Sequence, residues 1–178
     1  MKSKTKDATM FYALLIIALI FVALFFSMKG VAMSVFSGKE EDVIVFSPMQ
    51  GKLTFESKPA NGAKIVRTLK WKDDVSESDT FYADEQGEFN IPLKKDTIKI
   101  SPLVQFVVQQ DIYVYFKEKK YHIWDMGKLS KNEYGELYGR PINLRCELSD
   151  EMVGVDVLFG LLETSCKWDG VIKNKGDL

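Results

Sequence analysis

The 178 residues carry 24 Lys and Arg against 25 Asp and Glu, a formal net charge of -1, with 46% hydrophobic and 28% charged residues. That composition belongs to a folded chain, and the length suits one domain with an appendage. The lack of a basic surplus argues against nucleic acid as a partner, while one His and two Cys exclude His-rich metal sites and any zinc cage of Cys and His alone.

From Met10 to Met28 the chain carries no charge. A helix of that length spans about 28 Å, close to the hydrocarbon thickness of a bilayer, and has no polar stripe with which to face water. The stretch predicts a transmembrane helix over 10–28. It is longer than the apolar core of a usual signal peptide and ends in Phe25 and Phe26, so the sequence favours an uncleaved signal anchor. The small-residue patterns Gly30-Val31-Ala32 and Ala32-Met33-Ser34 leave cleavage as the alternative. Lys2, Lys4 and Lys6 precede the stretch, and the acidic run Glu40, Glu41 and Asp42 follows it. By the positive-inside rule, residues 1–9 are cytoplasmic, 29–44 form a linker, and 45–178 form a domain in the periplasm or outside. The expected location is the inner membrane, crossed once.

Beyond Gly38, Gly and Pro punctuate short stretches of alternating apolar and polar residues, the mark of half-buried strands. Leu53 and Phe55 share a face. Ile65, Leu69 and Trp71 align next, interrupted by Arg67, and Phe81 with Ala83, Phe89 with Ile91, and Ile98 with Ile100 repeat the pattern. Turn residues separate them, among them Pro59, Gly62, Asp84 and Gly87. No helical-length segment intervenes, which predicts an all-β sandwich rather than a βαβ fold.

Two stretches carry a family resemblance. Gly51-Lys-Leu-Thr-Phe-Glu-Ser-Lys-Pro59-Ala-Asn-Gly62-Ala63-Lys-Ile-Val66 is similar to the opening of carboxypeptidase regulatory-like domains, the transthyretin-like (prealbumin-like) sandwich family. Thr80-Phe-Tyr-Ala83-Asp84-Glu-Gln-Gly87-Glu-Phe89-Asn-Ile-Pro92 resembles a later segment of the same family. The likeness covers about residues 45–100. It implies a transthyretin-like β-sandwich that binds or stabilises without catalysis, here with extra C-terminal strands. The insert Lys72–Asp79 departs from the pattern by lengthening one strand connection, and the family's closing strand is not visible after Ile100. The chain also resembles, more loosely, uncharacterised bacterial exported proteins in which such a module follows a membrane segment.

Residues 101–178 continue as β structure. Ile112, Val114 and Phe116 alternate with Tyr113 and Tyr115, and the charged turn 117–120 leads into Tyr121-His122-Ile123-Trp124, a predicted hairpin. Ser130 and Glu133 have capping-box spacing for a short helical turn. Cys146 and Cys166 each fall on the apolar parity of a strand, and export predicts a disulfide between them. His122 stands alone, without the positioned base or imidazole partners of a triad or metal site, and alternates with Ile123 in the predicted hairpin, so an exposed or hydrogen-bonded strand residue is expected. The acidic residues Asp73, Asp74, Glu77 and Asp79 lack the spacing of a calcium loop and read as solvated. No phosphate loop, nucleophile elbow or zinc-protease motif appears.

Trp71, Tyr82, Tyr113, Tyr115 and Trp124 are the partner-binding candidates, because outward aromatics give large contact area with few rotatable bonds. The expected function is a membrane-anchored module that binds a protein partner or envelope component, with no cofactor, metal or catalytic residue. One concrete version is an immunity protein that occludes a toxin delivered to the periplasm. The alternatives are an accessory subunit of a membrane complex and a hydrolase with a dispersed carboxylate site.

Overall fold

A computed structural model of the chain describes residues 14–24, 38–72, 75–101, 103–157 and 160–169. The chain divides into two units, one of Met1–Lys39 with Lys99–Val104 and the other of Glu40–Ile98 with Gln105–Leu178. In the first, residues 14–24 are an α-helix of wholly apolar side chains, all exposed. Among the described residues no helix is long and apolar enough to cross a membrane. The rest of the 10–28 stretch lies outside the described residues.

The remainder is β structure. In chain order the strands are Lys39–Phe46 (β1), Met49–Phe55 (β2), Lys58–Pro59 (β3), Lys64–Lys72 (β4) and Val75–Tyr82 (β5). Glu88–Ile91 (β6), Lys94–Ile100 (β7), Val108–Phe116 (β8) and Lys119–Lys128 (β9) follow. Ile142–Glu147 (β10), Val153–Val157 (β11), Gly160–Thr164 (β12) and Cys166–Trp168 (β13) complete the set. One sheet runs β11-β12-β9-β8-β4-β5, a second runs β13-β10-β2 with β3 and β6 sharing the far edge of β2, and β1 pairs with β7. β1 begins within the stretch read as a linker.

Period-two alternation explains the core. Met49, Leu53, Phe89, Ile91, Ile142 and Leu144 from one sheet are buried, as are Ile65, Leu69, Val108, Ile112, Val114, Met126 and Leu162 from the other. The result is a sandwich-like all-β fold. β2 and β10 pair in parallel, with Gly51 opposite Leu144. A Cβ on Gly51 would lie 2.4 Å from the Leu144 carbonyl oxygen, so the sheet centre requires glycine there.

Three features differ from expectation. Most of the Lys72–Asp79 insert is strand, with Lys72 opposite Val75, because its polar residues suit an edge strand. Arg67 does not interrupt the inward row of β4 but belongs to it. It is 2% exposed, donates 2.8 Å to the Pro92 carbonyl, pairs with Asp79, and lies over the rings of Phe46 and Phe81. Burial of that charge is tolerable because it is paired and hydrogen-bonded. The capping box does not form. A single 3-10 turn, Gly135–Leu137, has no side-chain cap, and Ser130 Oγ instead accepts from the Asn132 amide at 3.2 Å.

That turn nonetheless delivers Glu136 to the interior. Its carboxylate accepts from Lys128 Nζ at 2.8 Å, Ser47 Oγ at 2.6 Å, the Ser47 amide at 3.1 Å and Gln110 Nε2 at 3.0 Å. Lys128 also donates to the Asn132 carbonyl at 2.7 Å. All four side chains, of Ser47, Gln110, Lys128 and Glu136, are buried. Burial pushes the Lys128 amine below its usual range, and Glu136 opposes that shift. A second tie lies at the hairpin between β2 and β3, where Glu56 and Ser57 both hold positive φ, 53° and 62°. Such a turn normally calls for Asn-Gly. Here Glu147 compensates by accepting from both amides, at 2.9 and 3.1 Å, and from Thr54 Oγ1 at 2.9 Å. Desolvation opposes its ionisation, but hydrogen bonds from Ser149, Ser57 and Thr54 outweigh it and hold the carboxyl down at about 2.

Lys128→Met should cost about 3–5 kcal/mol by leaving Glu136 buried without its cation. Adding Glu136→Gln should recover part of that loss, as read from denaturant midpoints. Glu147→Gln should cost about 1 kcal/mol at neutral pH, kept small by solvent around the carboxylate. Because the folded pKa is depressed, the Glu147 contribution is complete above the ordinary carboxylate range and is lost as pH falls through about 2. Unfolding midpoints between those limits should therefore depend less on pH in the variant than in the parent.

Candidate functional site

The site is built by one irregularity in β9. Ile112 pairs with Trp124, but Tyr113 pairs with His122, so Ile123 is an extra residue and the register shifts there. Ile123 and Trp124 are consecutive and both buried, at 1% and 0% exposure. An extra strand residue changes the parity of everything beyond it. Thr164 supports the distortion from β12, its hydroxyl donating to the Ile123 carbonyl at 2.6 Å.

The parity change has two consequences. Trp124 turns inward, where its Nε1 donates to Gln110 Oε1 at 3.4 Å and its ring lies 6.4 Å from that of Trp168. It therefore offers no surface to a partner, which corrects the expectation drawn from simple alternation. His122 and Asp125, three residues apart, would face opposite sides of a regular strand. With the extra residue between them, both reach the outward face of the six-stranded sheet.

There they meet Asp111, which pairs directly with Asp125 across β8 and β9. Donor atoms of Asp111, His122 and Asp125 all lie within 4.8 Å of one another. His122 Nε2 approaches Asp111 Oδ1 to 3.0 Å, yet the nitrogen is buried and makes no well-directed hydrogen bond. Tyr113 stacks on the His122 ring at 4.4 Å and directs its hydroxyl to Asp111 Oδ1 at 3.5 Å. Gln109 Nε2 donates to Asp125 Oδ1 at 2.5 Å. Burial raises the Asp111 pKa, as does the charge of Asp125, with His122 acting in the opposite sense. Desolvation and then Asp111 raise that of Tyr113. Glu163 stands opposite Asp125 on β12 and extends the acidic row.

Two registers along the sheet, the character changes. Tyr82, Lys64, Tyr115 and Lys120 form one row across β5, β4, β8 and β9. Tyr82 is 65% exposed and Tyr115 41%. Lys64 Nζ lies 5.7 Å from the Tyr115 ring centre, and Lys120 Nζ lies 3.6 Å from that of Tyr113. The face thus carries a cationic, aromatic row at one end and carboxylates beside an imidazole at the other.

The remaining candidates sit elsewhere. Trp71 is half-buried, and its Nε1 donates to Asp96 at 2.7 Å. Cys146 and Cys166 are directly opposite on β10 and β13 and joined, with an S–S distance of 2.00 Å. Asp84 Oδ1 accepts from the Gln86 and Glu88 amides at 2.9 and 2.8 Å, closing the turn in which Gly87 has φ 77°. Pro59 lies in β3, and Gly62 holds φ 71° in the turn that follows. Of the acidic group, Glu77 pairs with Lys94 at 2.5 Å and Asp79 with Arg67, whereas Asp73 and Asp74 lie outside the described residues. A concavity of about 720 Å³ is lined mainly by polar residues of the other sheet, among them Gln50, Asn90, Asn143 and Arg145, together with Tyr82. Sequence reasoning missed the meeting of Asp111, His122 and Asp125. The one available signal was the Ile123-Trp124 pair, two large apolar residues in succession inside an alternating strand.

No curated protein and no solved structure matches the chain. Residues 49–151 match a domain of unknown function, DUF6795, and the chain belongs to that family. The match spans β2 through β10 and so includes Asp111, His122, Asp125, Tyr82 and Tyr115.

Proposed function

We propose that this DUF6795 chain is a membrane-anchored, extracytoplasmic binding module that holds a protein partner against the outward face of its six-stranded sheet. It acts by occupancy and not by turnover. The observation that carries this reading is the row Tyr82, Lys64, Tyr115 and Lys120, in which two exposed aromatic rings alternate with two cations on adjacent strands. Tyrosine supplies rigid contact area, and the lysines suit a partner segment that is acidic where it meets them.

The anchor rests on the uncharged stretch 10–28 and on the exposed, wholly apolar helix of residues 14–24. The joined pair Cys146 and Cys166 favours the oxidising side of the membrane. The transthyretin-like reading of the sandwich rests on the motifs at 51–66 and 80–92, which run from β2 into the start of β4 and from the end of β5 through β6. An immunity protein that blocks a toxin arriving in the periplasm is the concrete form we favour. Tethering at the membrane surface would raise the local concentration of such a binder.

A photo-crosslinking residue placed at Tyr82 or at Tyr115 in living cells should capture one discrete protein, and one placed at the exposed Lys167 of β13, on the other sheet and outside the concavity that Tyr82 lines, should not. Tyr115→Ala should weaken binding of the captured partner by about 2 kcal/mol, in the range of an aromatic anchor. Equal capture from Lys167, or no capture from either tyrosine, would contradict the reading.

A further inference from the structure

We propose that Asp111, His122 and Asp125 form a site for one divalent transition-metal ion, with zinc the best match to the donors. The inference stands apart from the partner reading, because it uses different residues of the face and a different chemistry.

Electrostatics supply the first argument. Asp111 and Asp125 are directly opposed on neighbouring strands, and like charges so placed destabilise a sheet. Glu163 adds a third carboxylate to the row. Lys120 is the nearby ammonium on β9, and its charge lies over the Tyr113 ring. A bound cation would turn the repulsion into a binding energy.

Geometry supplies the second. His122 Nε2 is buried and lies 3.0 Å from Asp111 Oδ1 without a well-aligned hydrogen bond, so the imidazole and that carboxylate are already placed to share one cation between them. Zinc binds nitrogen and carboxylate oxygen at about 2.0–2.2 Å, so its ligand atoms sit about 3–3.5 Å apart. Donors already within 4.8 Å of one another need only small side-chain rotations to reach that spacing.

The surroundings are those of ligands already oriented. Gln109 fixes Asp125, the Tyr113 hydroxyl reaches Asp111, and the Tyr113 ring fixes the plane of His122. Such outer contacts hold metal ligands in place and set their basicity. The three donors come from paired strands, where the backbone is rigid. One imidazole with two carboxylates favours a borderline ion over calcium or magnesium, which prefer all-oxygen shells. Three protein ligands leave a fourth position open for water, for Glu163, or for a donor brought by another molecule.

The rival account has a protonated His122 neutralising the two acids with no metal. Calorimetric titration of the full chain in detergent separates the two. Zinc should bind at one ion per chain, and His122→Gln and Asp125→Asn should each lower the affinity by about tenfold or more. Glu88→Gln, a carboxylate of the other sheet, should leave it unchanged. Cobalt in place of zinc should give the visible absorption of a low-coordinate site in the parent and not in Asp125→Asn, which keeps the test open should His122→Gln fail to fold. No saturable zinc binding, unchanged affinity in both variants, or equal binding of calcium or magnesium would overturn the proposal. None of these results would alter crosslinking from Tyr82 or Tyr115, so the two readings fail separately.

Discussion

One extra residue in β9 governs what both faces of the six-stranded sheet present. Ile123 sits opposite no partner, and from there the strand's inward set becomes Trp124, Met126 and Lys128. On the other side the same step brings His122 and Asp125 to one face, beside Asp111. Without it, the largest core side chain and the lysine of the buried pair would point to solvent. The free carbonyl of Ile123 is taken by Thr164, a fully buried hydroxyl, so the irregularity leaves that acceptor satisfied.

The two faces of β8 and β9 are consequently linked in register though not in chemistry. Behind the sheet, Gln110 and Lys128 enter a closed polar network with Ser47 and Glu136, which ties the β9–β10 connection to the end of β1. In front, Asp111, next to Gln110 in sequence, joins His122 and Asp125 of β9 in the acidic and imidazole cluster. A buried ion pair of this kind adds little net stability over an apolar core. Its effect is positional, because a one-residue slip of β9 would break every bond to Lys128 at once. The network therefore holds the register on which the front cluster depends.

Much of the architecture was legible from residue types. Alternation in Leu53, Ile65, Ile91, Ile112 and Leu144 marked strands, and Asp84 with Gly87 marked a turn. The two cysteines shared apolar parity before their pairing on β10 and β13 was seen. Other features were hidden for physical reasons. Arg67 reads as a break in an apolar row because its partners, Asp79 and Pro92, are distant in sequence. Glu147 supports a turn about 90 residues earlier, and nothing in Glu56-Ser57 announces a left-handed pair. The Asp111, His122 and Asp125 cluster was hidden most deeply. Parity reasoning assumes a regular strand, and the irregularity at Ile123 inverts that assumption for the residues concerned.

The pairing of β8 with β9 in solution tests this account most directly. Nuclear Overhauser contacts across the two strands should place Ile112 against Trp124 and Tyr113 against His122, leaving Ile123 without a partner on β8. Contacts from Tyr113 to Ile123 instead would describe a regular strand, with His122 and Asp125 on opposite faces, and would contradict it.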